Sequence, residues 1–242
     1  IRLLICCCDS MLYLLGALTA QIFVQPLLHV LGDLPLDGHM DGVGHPLGEG
    51  LDECDVLDHV LRLHQLQGVV AVVDGAGVVG GMLARQLSQY DLSVCLLEKE
   101  NDVANGASKA NSGIVHGGFD AQNGTLKAEL NVKGTAMMPE VCEKLSVPFK
   151  KNGSVVVAFS DSEMEHVKEL YRRGINNGVP ELSVIDRDEL RRIEPNISDE
   201  AVGALLSESA GIVCPYELTI AAVENAVTNG VEFIRNCEVK AI

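Results

Sequence analysis

Three glycines at a strand-to-helix turn are the residues of this chain best suited to hold a ligand. In the segment "VVDGAGVVGG", residues 72–81, Gly75, Gly77 and Gly80 have the spacing G-x-G-x-x-G. The first glycine of such a turn permits a tight bend, the second lets the backbone approach a pyrophosphate, and the third lets the helix pack on the strand. The helix amides and the helix dipole would then face the phosphates. The pattern predicts a dinucleotide site.

An acidic residue follows the glycine turn at a suitable distance. Glu98 ends the next apolar segment, "LSVCLLE", 18 residues after Gly80, and a carboxylate near this spacing binds the adenosine ribose. Asp74 does not fit the pattern, because it stands where the first strand should end on an apolar residue. A buried, unpaired carboxylate beside phosphates would be costly. We expect Asp74 to tilt to solvent, to find a donor, or to weaken cofactor binding.

The elements that must position these residues alternate between strand and helix from residue 69 onward. Apolar runs such as "GVVAVV" and "GSVVVAFS" predict strands, and amphipathic segments such as "VVGGMLARQLSQY" predict helices. The segment "DSEMEHVKELYRRGINNG" predicts a helix capped by Asp161 and ended by Gly178. Further helices are predicted in "TLKAELNVKGTAMMPEVCEKL", "DRDELRRIEP" and "PYELTIAAVENAVTNG", and "VEFIRNCEVKAI" predicts two strand segments. This order indicates an α/β fold.

Composition narrows the possible partners and the compartment. The 242-residue chain has a net charge of −16, which argues against nucleic acid as a partner. None of its eight cysteines forms a C-x-x-C pair, so the spacing of a zinc site is missing and no metal is predicted. We interpret the cysteines as reduced thiols of a cytoplasmic protein. Contact with a membrane surface stays an open question at this point.

Residues 1–68 differ from the rest of the chain. They contain no Lys and no Asn, whereas both become common after residue 98. Residues 11–32 lack charged side chains and have the length of a membrane span, but they contain two Gln, a Pro and a His. We expect residues 1–68 to be a leader that is unrelated to the remainder or poorly ordered. The chain starts at Ile1 and stops within a strand-like run, and the sequence is expected to be a fragment.

A second block favours one dinucleotide over another. The segment "EKENDVANGASKANSGIVHGG", residues 98–118, resembles FAD-dependent oxidoreductases of the D-amino-acid-oxidase-like superfamily. It is most similar to the branch that holds the FAD-dependent glycerol-3-phosphate dehydrogenases and the L-2-hydroxyglutarate oxidases. The likeness extends over residues 69–242 and also rests on "GTLKAELNVKG" and "GIVCPYELTIA". The resemblance implies that the cofactor is FAD.

The resemblance also implies roles for individual residues. The three turn glycines would hold the FAD pyrophosphate, and Glu98, with the neighbouring Lys99, would bind the nucleotide. His116 would lie near the isoalloxazine ring and is the candidate acid or base. A helix cap and turn is the alternative role for the four residues that would line the passage from pyrophosphate to flavin, which are Ser108, Asn111, Ser112 and Gly113.

The resemblance implies a Rossmann-like FAD-binding domain followed by the start of a mixed-sheet substrate domain. Residues 69–152 would form the first part of the FAD-binding domain, and residues 153–206 part of the substrate domain. Residues 207–242 would return to the FAD-binding domain. Residues 1–68 have no counterpart in the family.

The expected activity is oxidation of a small anionic 2-hydroxy compound, with sn-glycerol 3-phosphate first, by hydride transfer to flavin. The hydroxyl proton needs an acceptor, and a histidine suits this role near neutral pH. Electrons would pass to a quinone or to another redox subunit. The alternatives are an L-2-hydroxyglutarate oxidase, an amine oxidase of the glycine or sarcosine type, and a nucleotide-binding fragment without turnover.

Overall fold

The computed structural model describes residues 2–6 and 70–240, and it divides the chain into two compact units. The first unit comprises Ile1–Ser112 and Pro215–Ile242, and the second comprises Gly113–Cys214. The apolar segment 11–32 lies outside the described residues. No helix within the described part of the chain is long and apolar enough to cross a membrane.

The described residues form ten strands and the five helices that the sequence predicts. The strands are β1 (Arg2–Cys6), β2 (Val70–Asp74), β3 (Ser93–Leu97), β4 (Ile114–Val115), β5 (Phe149–Lys150), β6 (Ser154–Ala158), β7 (Leu182–Asp186), β8 (Gly203–Ser207), β9 (Gly211–Val213) and β10 (Glu232–Ile234). The helices are α1 (Val78–Leu87), α2 (Leu126–Lys144), α3 (Asp161–Asn177), α4 (Arg187–Ile193) and α5 (Pro215–Thr228).

The first unit is built on a parallel sheet with the strand order β1-β2-β3-β10. Alternate residues of β2 point to opposite faces, as in any strand. Val73 packs into a core that includes Leu83 of α1 and Val223 of α5, whereas Val72 packs on the other face with Leu97 and its neighbours. Side chains on both faces are therefore buried, which explains why β2 and β3 are almost continuously apolar in sequence.

The second unit contains two antiparallel sheets of three strands, ordered β4-β9-β5 and β6-β8-β7. Helix α3 covers one face of the β6-β8-β7 sheet, where Val167 and Leu170 join a core with Leu205. On the opposite face Leu190 of α4 packs with Ile185 and other apolar residues. This sheet is therefore covered by a helix on each face.

The α/β fold class is confirmed, but three local expectations differ from the structure. Residues Arg2–Cys6 form a strand that pairs in parallel with β2, although no strand was predicted there. Ser160, not Asp161, caps α3, because its side chain accepts the backbone N–H of Glu163. After β10 the chain up to residue 240 forms no second strand. Gly178 ends α3 in a left-handed conformation, as expected.

Candidate functional site

The glycine turn joins β2 to α1 in the first unit, and two of its glycines are required by geometry. Gly75 has a φ of +96°, which favours a residue without a side chain, and its N–H donates to the Leu97 carbonyl at 2.8 Å. A Cβ on Gly80 would lie 1.8 Å from the carbonyl oxygen of Gly75. The helix therefore packs directly on the turn, which is the role that the spacing predicts for the third glycine.

The N-terminal end of α1 can bind an anion. The backbone N–H of Val78 donates to Ser108 Oγ at 2.9 Å, and the first turn contains no acidic residue. Among the described residues, no acceptor lies within hydrogen-bonding distance of the amides of Gly77, Val79 and Gly80. These three donors and the positive end of the helix dipole suit a phosphate group.

Glu98 is a buried carboxylate, only 7% exposed, that lies directly after β3. Its Oε2 accepts the N–H of Ala76, inside the glycine turn, at 2.7 Å, and its Oε1 accepts the N–H of Glu100 at 2.9 Å. An ionised carboxylate offers about four acceptor positions, so two remain for the hydroxyls of a ribose. The backbone of Glu98 is held as well, by hydrogen bonds with Ile234 and Cys237.

The loop after β3 is tied to the glycine turn. The N–H of Ala104 donates to the Ala76 carbonyl at 3.1 Å, and the Asn111 side chain donates to the carbonyls of Ala107 and Ser108. A Cβ on Gly77 would lie 3.0 Å from Ser108 Oγ. Ser108 and Asn111 thus have the capping and turn contacts of the alternative interpretation, and their role toward a cofactor stays a prediction.

The remaining predicted cofactor-binding residues are Lys99, Ser112 and Gly113. Lys99 and Ser112 are exposed. Gly113 is buried with a φ of +66°, and its carbonyl accepts the N–H of Val213 within the second unit. Asp74 is half-buried at the end of β2 and has an interaction partner, and its effect on cofactor binding stays a prediction.

His116 belongs to the second unit, where it follows β4. The residue is exposed overall, but partial burial of its ring lowers the pKa of His116 below the usual value of 6.5. The charge of Lys127 acts in the same direction and that of Asp120 opposes it. A neutral imidazole near pH 7 can accept a proton, which is what the predicted role requires.

The structure brings the three turn glycines, Glu98 and Ser108 together in the first unit, and it places Gly113 and His116 in the second. Sequence reasoning missed the backbone N–H of Ala76 as a partner of Glu98. It also missed Asn131 and Thr135, buried polar residues of α2 that hold the His116 carbonyl. Two polar residues four positions apart on a helix face were the available signal.

The first unit fits the ADP half of FAD. It combines a glycine-rich turn, the amides at the start of α1 and a buried carboxylate with spare acceptor capacity. No group of three or more metal-ligating side chains occurs in the described part of the chain.

Comparison with known proteins identifies the family of this chain. The profile of the FAD-dependent oxidoreductase family DAO matches residues 70–242. The chain belongs to this family, which confirms the resemblance, FAD as the cofactor and the oxidoreductase class.

Relatives within the family have three related descriptions. The chain is 52% identical over 170 residues to a glycerol 3-phosphate dehydrogenase of Caloramator mitchellensis, covering 70% of this chain and 35% of that protein. It is 35% identical over 172 residues to a mitochondrial L-2-hydroxyglutarate dehydrogenase of Nematostella vectensis, covering 70% of this chain and 37% of the relative.

The solved structure of dithionite-reduced L-alpha-glycerophosphate oxidase from Mycoplasma pneumoniae with FAD bound is also similar, at 32% identity and a TM-score of 0.68. That match covers 72% of this chain and 46% of the other. The chain thus spans little more than a third of the two sequence relatives.

Proposed function

We propose that this chain is part of an FAD-dependent enzyme that oxidises the secondary hydroxyl of sn-glycerol 3-phosphate. The observation that carries the proposal is the 52% identity to a glycerol 3-phosphate dehydrogenase, against 35% to an L-2-hydroxyglutarate dehydrogenase. The geometry of the first unit is compatible with it, because the glycine turn and Glu98 suit the nucleotide of FAD.

The reaction removes two electrons and two protons from the alcohol carbon and its hydroxyl, and the product is the corresponding ketone. FAD, when bound, supplies the acceptor for the hydride from carbon. The helix amides of α1 would hold the pyrophosphate, and Glu98 would accept the ribose hydroxyls. His116 would take the hydroxyl proton, because its lowered pKa keeps the imidazole neutral and able to accept at pH 7.

The reduced cofactor must then be reoxidised by a second partner. We propose a quinone or another redox subunit as the acceptor. The enzyme would act in the cytoplasm, with peripheral contact to a membrane if the acceptor is a membrane quinone.

A second candidate is oxidation of L-2-hydroxyglutarate, which is favoured by the 35% identity to an L-2-hydroxyglutarate dehydrogenase. Both candidate substrates are small anions with a secondary alcohol, so the same proton acceptor would serve either reaction. Their anionic groups differ, since one is a phosphate and the other a pair of carboxylates.

Anaerobic flavin bleaching distinguishes the candidates. The purified protein, in the longest form that the gene encodes, is first tested for a yellow colour and for release of FAD on denaturation. Glycerol 3-phosphate and L-2-hydroxyglutarate are then added separately, with glycerol and D-2-hydroxyglutarate as matched controls. We expect glycerol 3-phosphate to bleach the visible absorbance of the oxidised flavin, and the controls to leave it unchanged.

The FAD content and the bleaching by substrate answer different questions. A protein that contains FAD but is bleached by L-2-hydroxyglutarate alone would establish the second candidate. A colourless protein that takes up no FAD would contradict both candidates. Glycine and sarcosine are added in the same way, and bleaching by either compound would instead assign amine oxidation.

A further inference from the structure

The segment that carries His116 is held by side chains from two helices of the same unit. The carbonyl of His116 accepts the Asn131 side-chain amide at 2.7 Å and the Thr135 hydroxyl at 2.5 Å, both from α2. The carbonyls of Gly118 and Ala121 accept the Asn177 amide from α3, at 3.0 and 2.8 Å. The carbonyl of Asp120 accepts the guanidinium of Arg173 at 3.0 Å. We call these four side chains the carbonyl clamp; its members are Asn131, Thr135, Arg173 and Asn177.

Close packing around Gly117 and Gly118 also restrains the same segment. A Cβ on Gly117 would lie 2.2 Å from the hydroxyl of Ser207, a fully buried residue at the end of β8. Gly118 has a φ of +104°, and a Cβ there would also lie 2.9 Å from a methyl group of Val132. The backbone after His116 therefore has little room to shift toward β8 or α2.

The α2 part of the clamp is buried, whereas His116 as a whole residue is exposed. Asn131 is 7% exposed and Thr135 is 8% exposed, yet His116 remains accessible. Burying two polar side chains costs desolvation free energy, and the hydrogen bonds to the His116 carbonyl offset that cost. Asn131 also donates to the Thr135 hydroxyl at 3.4 Å, so the pair forms a network and not two separate contacts.

We infer that Asn131 and Thr135 are positioning residues for His116: by fixing its carbonyl they fix the direction in which the imidazole leaves the backbone. This inference rests on the proposed role of His116 as the proton acceptor. A proton acceptor works only within hydrogen-bonding reach of the proton that it takes, and a displacement of 1 Å can lower a rate by about 100-fold. A clamp on the main chain provides such placement without contacting the substrate.

The clamp also explains how an exposed histidine keeps a perturbed pKa. Partial burial of the ring lowers the pKa of His116, and a group that moves out of a partly buried environment loses this desolvation. The charged groups that face it are Asp120, which raises the pKa, and Lys127, which lowers it. Loosening the carbonyl would let water reach the ring, and the pKa would rise toward the usual value.

The test is a titration of His116 by NMR in FAD-loaded protein with labelled histidine, with the resonance assigned by His116→Gln. Thr135→Val removes the hydroxyl at nearly constant volume, and Thr135→Ser keeps it. We expect the His116 pKa to rise toward 6.5 in Thr135→Val and to keep its wild-type value in Thr135→Ser. With glycerol 3-phosphate, Thr135→Val should lower kcat by roughly 10- to 100-fold while KM changes little.

Thr219 offers a matched control in the other unit. It is a fully buried threonine of α5 whose hydroxyl donates to the Pro215 carbonyl at 2.7 Å, within its own helix. Thr219→Val removes the same group, but the hydrogen bond that is lost lies entirely within α5. We expect it to lower the unfolding temperature without moving the His116 titration.

The inference is overturned if Thr135→Val lowers stability as Thr219→Val does but leaves the His116 pKa unchanged. Should Thr135→Val not fold, Asn131→Ala removes the other donor and must raise the His116 pKa in the same way. The titration needs no substrate. A negative flavin-bleaching result would therefore refute the proposed function without deciding the role of the clamp. An unchanged His116 pKa in Thr135→Val would refute the role of the clamp without deciding the substrate.

Discussion

At the scale of single residues, Glu98 has two tasks in the first unit. Its carboxylate holds the N–H of Ala76 in the glycine turn and the N–H of Glu100 in the next loop, so it joins β2 to the chain after β3. The same carboxylate is the predicted ribose ligand. A residue that shapes the site and also binds the cofactor should affect stability and affinity together.

Substituting Glu98 tests this double task. Glu98→Gln replaces one acceptor oxygen by an NH₂ group that would face a backbone donor, so we expect a loss of about 1–3 kcal/mol in unfolding free energy and weaker FAD binding. Chemical denaturation of the apoprotein and fluorescence titration with FAD measure the two effects. Glu100→Gln, which changes an exposed side chain two residues later, is the control and should alter neither. Equal effects of the two substitutions would contradict the assignment.

The lowered pKa of His116 predicts the pH dependence of the reaction. The neutral imidazole accepts the proton, so kcat/KM should fall as the pH decreases through the pKa of His116, which lies below 6.5. His116→Gln should lower kcat by about 10²–10⁴-fold and remove this acidic limb. His166→Gln is the control, because His166 is exposed on α3. An acidic limb that survives in His116→Gln would assign the proton acceptor to another group.

At the scale of elements, we expect the contact between α1 and the glycine turn to decide whether the nucleotide site forms. A Cβ at position 80 would meet a backbone carbonyl, which cannot move without displacing β2 or α1. A Cβ at the next position would instead meet a methyl group of Val223 on α5, at 2.9 Å, so a side chain and not a backbone carbonyl would have to shift. Neighbouring glycines of one helix thus differ in what they tolerate.

We expect Gly80→Ala to abolish FAD binding and to destabilise the first unit, since the helix must move off the turn. Gly81→Ala should retain FAD, because the gain in helix propensity of about 1 kcal/mol offsets the strain at Val223. FAD content after purification and circular dichroism melting compare the two variants. FAD retention by Gly80→Ala would show that α1 can shift without loss of the site.

At the scale of the whole molecule, the chain consists of two units whose residues interleave in sequence. The second unit, Gly113–Cys214, is an insertion between β3 and α5 of the first. The first unit therefore needs α5 and β10, which return from residue 215 onward, to cover α1 and extend the sheet. That the two units correspond to FAD-binding and substrate domains stays a prediction.

Strand β1 is the part of the first residues that extends the sheet of the first unit. A shortened chain that begins at Gln67 keeps the glycine turn, Glu98 and Ser108, so we expect it to bind FAD. It loses β1, which leaves the backbone edge of β2 open, and open edges promote association. Size-exclusion chromatography and FAD content measure both effects. Loss of FAD binding by a folded, monomeric shortened chain would show that residues 1–66 support the site.

The predictable part of this molecule consists of features encoded within a few neighbouring residues. The G-x-G-x-x-G spacing with its strand and helix, and the glycine that ends α3, follow from local backbone requirements. The partner of Glu98 was not predictable, because Ala76 lies 22 positions away and contributes only a backbone N–H that has no sequence signature. The cap of α3 was misplaced by one residue, since serine and aspartate stand side by side and both are good caps.

The sequence by itself determined the dinucleotide-binding turn and the α/β alternation, because both depend on residue type and short-range spacing, and its resemblance to the family implied FAD and the candidate proton acceptor. Only the tertiary structure decided that β1 pairs with β2, that Glu98 holds the glycine turn, and that α2 and α3 clamp the segment after His116. These are contacts between residues distant in sequence, and many pairings satisfy the same local preferences. Burial selects one of them, since a buried amide, hydroxyl or carboxylate is stable only where the fold supplies its partner.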